Sequence, residues 1–140
     1  SKKMSKSDPS PASRINLTDD ADTIAKKFRK AKTDPDALPS EAEGMKDRPE
    51  ARNLVNIYAA LSDQTIDQVL AEVGGQQFGT FKPALAELAV SKMGPITAEM
   101  QRLMADEPEI DRILARGAEQ AREITTPILK RTYEIVGMVG

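Results

Sequence analysis

From Ile24 to Ile128 the apolar residues of this chain recur three and four positions apart, and no stretch alternates apolar and polar in the manner of a strand. That rhythm restricts the chain to helices packed on one another. Proline and glycine punctuate it. The spacing predicts a helix from a cap at Thr18 to about Lys32, with Asp19, Asp20 and Asp22 in its first turn and Ile24, Ala25, Phe28 and Ala31 on its apolar face. A second helix is expected over 50–61, entered through Pro49, and a third after a cap at Ser62 or Asp63, ended by Gly74-Gly75. Thr80 is the expected cap of a fourth, broken or kinked at Gly94-Pro95. Glu107-Pro108 opens the last, to about Val136, with an inner stripe of Ile110, Ile113, Leu114, Ala118, Ala121, Ile124 and Ile128 and a bend at Pro127. Residues 33–49 hold three prolines and mixed charges and read as an irregular connection.

Composition limits the chemistry. The 140 residues suffice for one domain. Aromatic residues are only 4%, so the core rests on aliphatic side chains. Cysteine and histidine are both absent, which excludes disulfides, thiolate metal sites and any histidine base. No run approaches the ~20 apolar residues of a membrane span. Charge is unevenly placed: residues 1–33 carry nine basic and four acidic side chains, while residues 34–140 carry eleven and eighteen. An anion belongs at the basic end.

That end contains Lys3-Met4-Ser5-Lys6-Ser7. Two lysines three residues apart on a loop bring two point charges to one polyanion, and the serine hydroxyls add donors. Such a loop suits the triphosphate of ATP, where charge builds on departing pyrophosphate. The five residues occur by chance on the order of once in a few million start positions. KMSKS is the signature loop of class I aminoacyl-tRNA synthetases. Asp8 and Pro9 follow it, then Ser13-Arg14-Ile15-Asn16-Leu17-Thr18-Asp19-Asp20 and Arg29-Lys30-Ala31-Lys32-Thr33-Asp34. Further on come Arg48-Pro49-Glu50, Asn53-Leu54-Val55-Asn56-Ile57-Tyr58 and Phe78-Gly79-Thr80-Phe81-Lys82. In this order the landmarks resemble the tryptophanyl-tRNA synthetases, over essentially the whole chain, from the signature loop to the last helix.

The resemblance implies an all-α segment: a KMSKS loop and linker at 1–17, then a helical bundle of the anticodon-binding type at 18–140 with its irregular connection at 33–49. It places this chain in the C-terminal half of the enzyme. The Rossmann catalytic domain would lie elsewhere, since the family's HIGH-type tetrapeptide needs a histidine. It implies Lys3 and Lys6 as catalytic residues on the ATP phosphates, Lys6 foremost, with Met4, Ser5 and Ser7 completing the ATP contact. Mg2+ is expected with ATP, and no residue of this chain is expected to ligate a metal. tRNA(Trp) is the implied partner, and the basic residues off the last helix's inner stripe, Arg112, Arg116, Arg122 and Lys130, are the candidates to meet it. Each also reads as a solvated charge paired with nearby Glu or Asp. ATP and tryptophan would bind only with the catalytic domain, so the chain alone is expected to be inactive. A homodimer and a cytoplasmic location are implied for the full enzyme, the mitochondrial matrix being the alternative. Two other readings stay open: a non-catalytic helical module that binds tRNA or protein, and the tyrosine-specific relative.

Overall fold

A computed structural model describes residues 10–138, and every regular element among them is helical. A 3-10 turn at Pro11–Ser13 precedes α1 (Ala21–Lys30); a second at Ala42–Met45 precedes α2 (Pro49–Ser62), α3 (Ile66–Val73), α4 (Phe78–Met104) and α5 (Glu107–Val136). The expected all-α class is borne out. No helix among the described residues is long and apolar enough to cross a membrane.

Where a proline marks the first turn, the helix starts as expected. Pro49 is the first residue of α2 and Pro108 the second of α5, where a missing N–H costs nothing. Elsewhere the starts differ. Asp20, not Thr18, caps α1: its carboxylate accepts the Thr23 N–H at 2.8 Å. Thr65, not Ser62 or Asp63, caps α3 through a reciprocal box with Gln68. Asp63 instead ends α2 in the left-handed region at φ 57°. α4 begins two residues before Thr80, because burying both Phe78 and Phe81 on one face requires the turn between them to be helical. The helix also runs through Gly94-Pro95. Pro95 forfeits one hydrogen bond, and Thr97 just beyond it is buried, with its hydroxyl 3.5 Å from the Asp19 carbonyl oxygen.

The described residues divide into two compact units, one ending at Glu99 and one beginning at Met100. The core lies in the first. Ile24 and Phe28 of α1 meet Leu54 and Val55 of α2, Val69, Leu70 and Val73 of α3, and Phe78, Phe81, Leu85, Ala86 and Ala89 of α4. Phe81 is fully buried, with the half-buried Tyr58 ring 5.6 Å away. The ammonium of Lys82 donates to the Ala31 carbonyl at 2.6 Å and so caps the C-terminal end of α1.

The connection at 33–49 is irregular but is not a passive linker. Leu38 and Met45 are each 2% exposed and belong to the core. Leu38 N–H donates to the Gln76 carbonyl, and Gly75 N–H donates back to the Leu38 carbonyl, at 2.9 and 2.8 Å. Gly74 is required by that approach. A Cβ there would meet the Leu70 carbonyl oxygen and lie 2.9 Å from Ser40 Cα.

In the second unit the expected inner stripe of α5 is corrected. Ile113, Leu114, Ile124 and Ile128 are exposed, with 46% to 67% of their surface in solvent, and α5 has no buried residue. The apolar periodicity is real, yet periodicity states only that a face is apolar, not that this chain covers it.

Candidate functional site

Lys3, Met4, Ser5, Lys6 and Ser7 lie outside the described residues. What the structure describes is the strap that follows them, from Ser10 to Asp20. It has one short 3-10 turn and a backbone turn in which Asp19 N–H donates to the Asn16 carbonyl at 3.0 Å, and side chains hold much of the rest. Ser10 caps the turn, and its carbonyl accepts Ser13 Oγ at 3.1 Å and Arg14 Nη1 at 3.4 Å. Arg14 Nε donates to Asn16 Oδ1 at 3.2 Å. Ile15 is half-buried against the core. The Asp19 carboxylate then receives the Asn16 N–H at 2.8 Å, the Asn16 side-chain amide at 3.5 Å, and the ammonium of Lys27 from α1.

The Asp19 and Lys27 side chains are 11% and 12% exposed. Burial pushes the Asp19 carboxyl upward, but the Lys27 ammonium and the Asn16 donors together outweigh it and hold the group below its usual range. The Asp19 carboxylate is therefore ionised near neutral pH. Beside it, an apolar cleft of about 430 Å3 is lined by Arg14, Ile15, Lys27, Leu54, Ile57 and Met93 among others.

A second polar node fixes the start of the irregular connection. Arg48, immediately before α2, forms a fork onto the Asp34 carboxylate (3.1 and 2.5 Å) and also donates to the carbonyls of Ala37 and Asp36, at 2.7 and 3.0 Å. The guanidinium holds the Asp34 carboxyl below its ordinary value, and Asp34 in turn raises Arg48.

Arg112, Arg116, Arg122 and Lys130 are all exposed on α5. Arg112 and Arg116 are one turn apart. Lys130 lies about five turns beyond Arg112 and so returns to the same face, whereas Arg122 sits roughly 80° aside. Glu119 and Glu123 interleave on that face, so its charge is mixed. Arg112 is paired with Glu109 at 2.6 Å. No ion pair joins Arg116, Arg122 or Lys130 to another described residue.

A family model described as tRNA synthetases class I (W and Y) matches residues 1–93, about two thirds of the chain. The chain belongs to the class I tRNA synthetases of that tryptophan and tyrosine group. The match spans the KMSKS motif, the strap, α1 to α3 and the first half of α4. Similarity to curated relatives continues through α5. The tryptophan–tRNA ligase of Rhizobium meliloti (strain 1021) is 67% identical over 138 residues, 99% of this chain and 39% of its own length. That of Agrobacterium fabrum is 62% identical over the same share of each, and that of Mesorhizobium japonicum is 58% identical over 139 residues. This synthetase chain thus spans about two fifths of the length of the curated relatives it matches. The likeness to tryptophanyl-tRNA synthetases read from the landmarks is borne out.

Three residues of this synthetase chain carry structure that the sequence did not announce. Arg48 counted only as a landmark before Pro49, and nothing local marks it as the partner of Asp34, fourteen residues earlier. The sequence places Asp19 in the first turn of the first helix and gives it no partner. Its contact with Lys27 runs across the helix start, because the cap falls at Asp20 and leaves Asp19 outside. A run of two aspartates after Thr18 was the available signal, since either could cap.

Proposed function

We propose that this chain is the part of a tryptophan–tRNA ligase that carries the ATP-phosphate loop and the helices meeting tRNA(Trp). The whole enzyme would join tryptophan to ATP as tryptophanyl-adenylate, release pyrophosphate, and pass the amino acid to the 3′ end of the tRNA. The observation that carries the reading is the KMSKS motif set in a chain that matches tryptophan–tRNA ligases at 58% to 67% identity.

Lys3 and Lys6 are assigned to the phosphates and act as catalytic residues there, with Lys6 opposing the charge that grows on pyrophosphate. Met4 meets the adenine side of the nucleotide through its backbone, and Ser5 and Ser7 hold the loop or donate to phosphate. Mg2+ arrives with ATP as its counterion. Arg116 and Lys130 are the best placed of the α5 candidates for tRNA: exposed, on one face, and without an ion-pair partner among the described residues. Among the described residues nothing forms a nucleotide-binding sheet, so the chain by itself is expected to make no adenylate.

The test is a graft. Residues 1–138 replace the matching segment of the Rhizobium meliloti ligase, and amino-acid-dependent exchange of pyrophosphate into ATP is measured. Exchange with tryptophan and not with tyrosine, followed by charging of tRNA(Trp), is the expected outcome. A folded graft that supports no exchange contradicts the assignment, and one selective for tyrosine contradicts the specificity.

A further inference from the structure

The chain enters the described bundle at Ser10, three residues after the last residue of the KMSKS motif. Between Ser10 and the first residue of α1 almost nothing periodic holds it. It is held instead by a continuous polar relay: Ser10 carbonyl to Arg14, Arg14 to Asn16, Asn16 to Asp19, and Asp19 to Lys27. Hydrogen bonds are directional where apolar contacts are not, so such a relay fixes the orientation of a strap as well as its attachment.

Asp19 is the node. Its carboxylate takes three donors from Asn16 and Lys27, and its carbonyl faces the hydroxyl of buried Thr97 on α4. Three separate stretches, the strap, α1 and α4, are thereby referenced to one residue. The pair is about nine-tenths buried, so water does not screen it as it would a surface ion pair. Removing one partner would leave the other charge stranded in a poorly solvated site.

We propose that Asp19 and Lys27 are positioning residues for the phosphate loop: their buried ion pair sets where the strap leaves the bundle and hence where Lys6 meets ATP. This inference rests on the functional reading above. Neither residue touches the nucleotide; both act through the strap. A lysine displaced by an ångström no longer opposes the charge it is meant to oppose, so the defect belongs to the rate of adenylate formation rather than to tryptophan binding.

The experiment uses the same grafted ligase. Asp19→Asn is expected to lower kcat for tryptophan-dependent pyrophosphate exchange roughly 10- to 100-fold, with the KM for tryptophan unchanged. Placed on a Lys6→Ala background, it should cost less than about twofold more, because both changes remove the same interaction. Asn16→Ala cuts the relay while leaving the ion pair in place. It should act in the same direction with a smaller loss, and it decides the matter if Asp19→Asn does not fold. Variants that melt earlier yet keep kcat within about twofold would overturn the proposal, as would losses that multiply with Lys6→Ala. If the native graft exchanges pyrophosphate but Lys6→Ala is harmless, the functional reading fails and the inference goes with it.

Discussion

Asp34 lies in a segment rich in proline and charge, yet it receives both arms of the Arg48 guanidinium and so anchors a chain that carries two core residues, Leu38 and Met45. Arg48 stays protonated across the accessible pH range. The pH dependence therefore comes from the carboxylate. Its folded pKa lies below the ordinary carboxylate value, held there chiefly by the Arg48 hydrogen bond. Its contribution to stability is complete above the unfolded value and disappears as pH falls through the folded one. Thermal melts of the chain and of Asp34→Asn should differ most near neutrality and converge as acidification protonates the carboxylate. A gap in melting temperature that stays constant on acidification would show that the pair is not the source of the effect. At this scale the reading of the KMSKS residues rests on five adjacent letters of sequence alone, outside the described residues. The sequence was silent on Arg48–Asp34 and Asp19–Lys27. One pair spans fourteen residues of irregular chain and the other joins a residue outside α1 to one within it, and neither follows a periodic rule.

Helix boundaries divide by the kind of signal that sets them. α2 and α5 were foreseen closely because a proline in the first turn acts through its own covalent structure. α1, α3 and α4 were displaced by two or three residues, since several Ser, Thr and Asp compete to cap and packing chooses among them. In α4, the burial of Phe78 and Phe81 made the choice. For α5 the basic face now has a geometry that can be tested. Arg116 and Lys130 lie near one line along the helix, with Glu119 and Glu123 between them. If that face meets the tRNA backbone, Arg116→Ala and Lys130→Ala should each weaken binding by the grafted ligase. Each should also flatten the dependence of log affinity on log salt by roughly 0.7 for single-stranded contacts. Titrations at several salt concentrations give both quantities. An unaltered salt slope in both variants would remove α5 from the interface.

At the scale of the whole molecule, the helical class and the family were legible and the coverage of surfaces was not. Ile24, Phe28, Leu54, Val69 and Leu85 fell inside as their spacing required. Ile124 and Ile128 follow the same spacing and lie exposed, because the pattern of one helix carries no information about its partner. The proposed role of the charge at the basic end is tested most directly by the rate of tryptophan-dependent pyrophosphate exchange in the grafted ligase with Lys6 intact or replaced by alanine. Loss of one preorganised donor to the departing pyrophosphate predicts a fall of about a hundredfold, or ~3 kcal/mol of barrier. Exchange at an unchanged rate in a folded Lys6→Ala enzyme would contradict it.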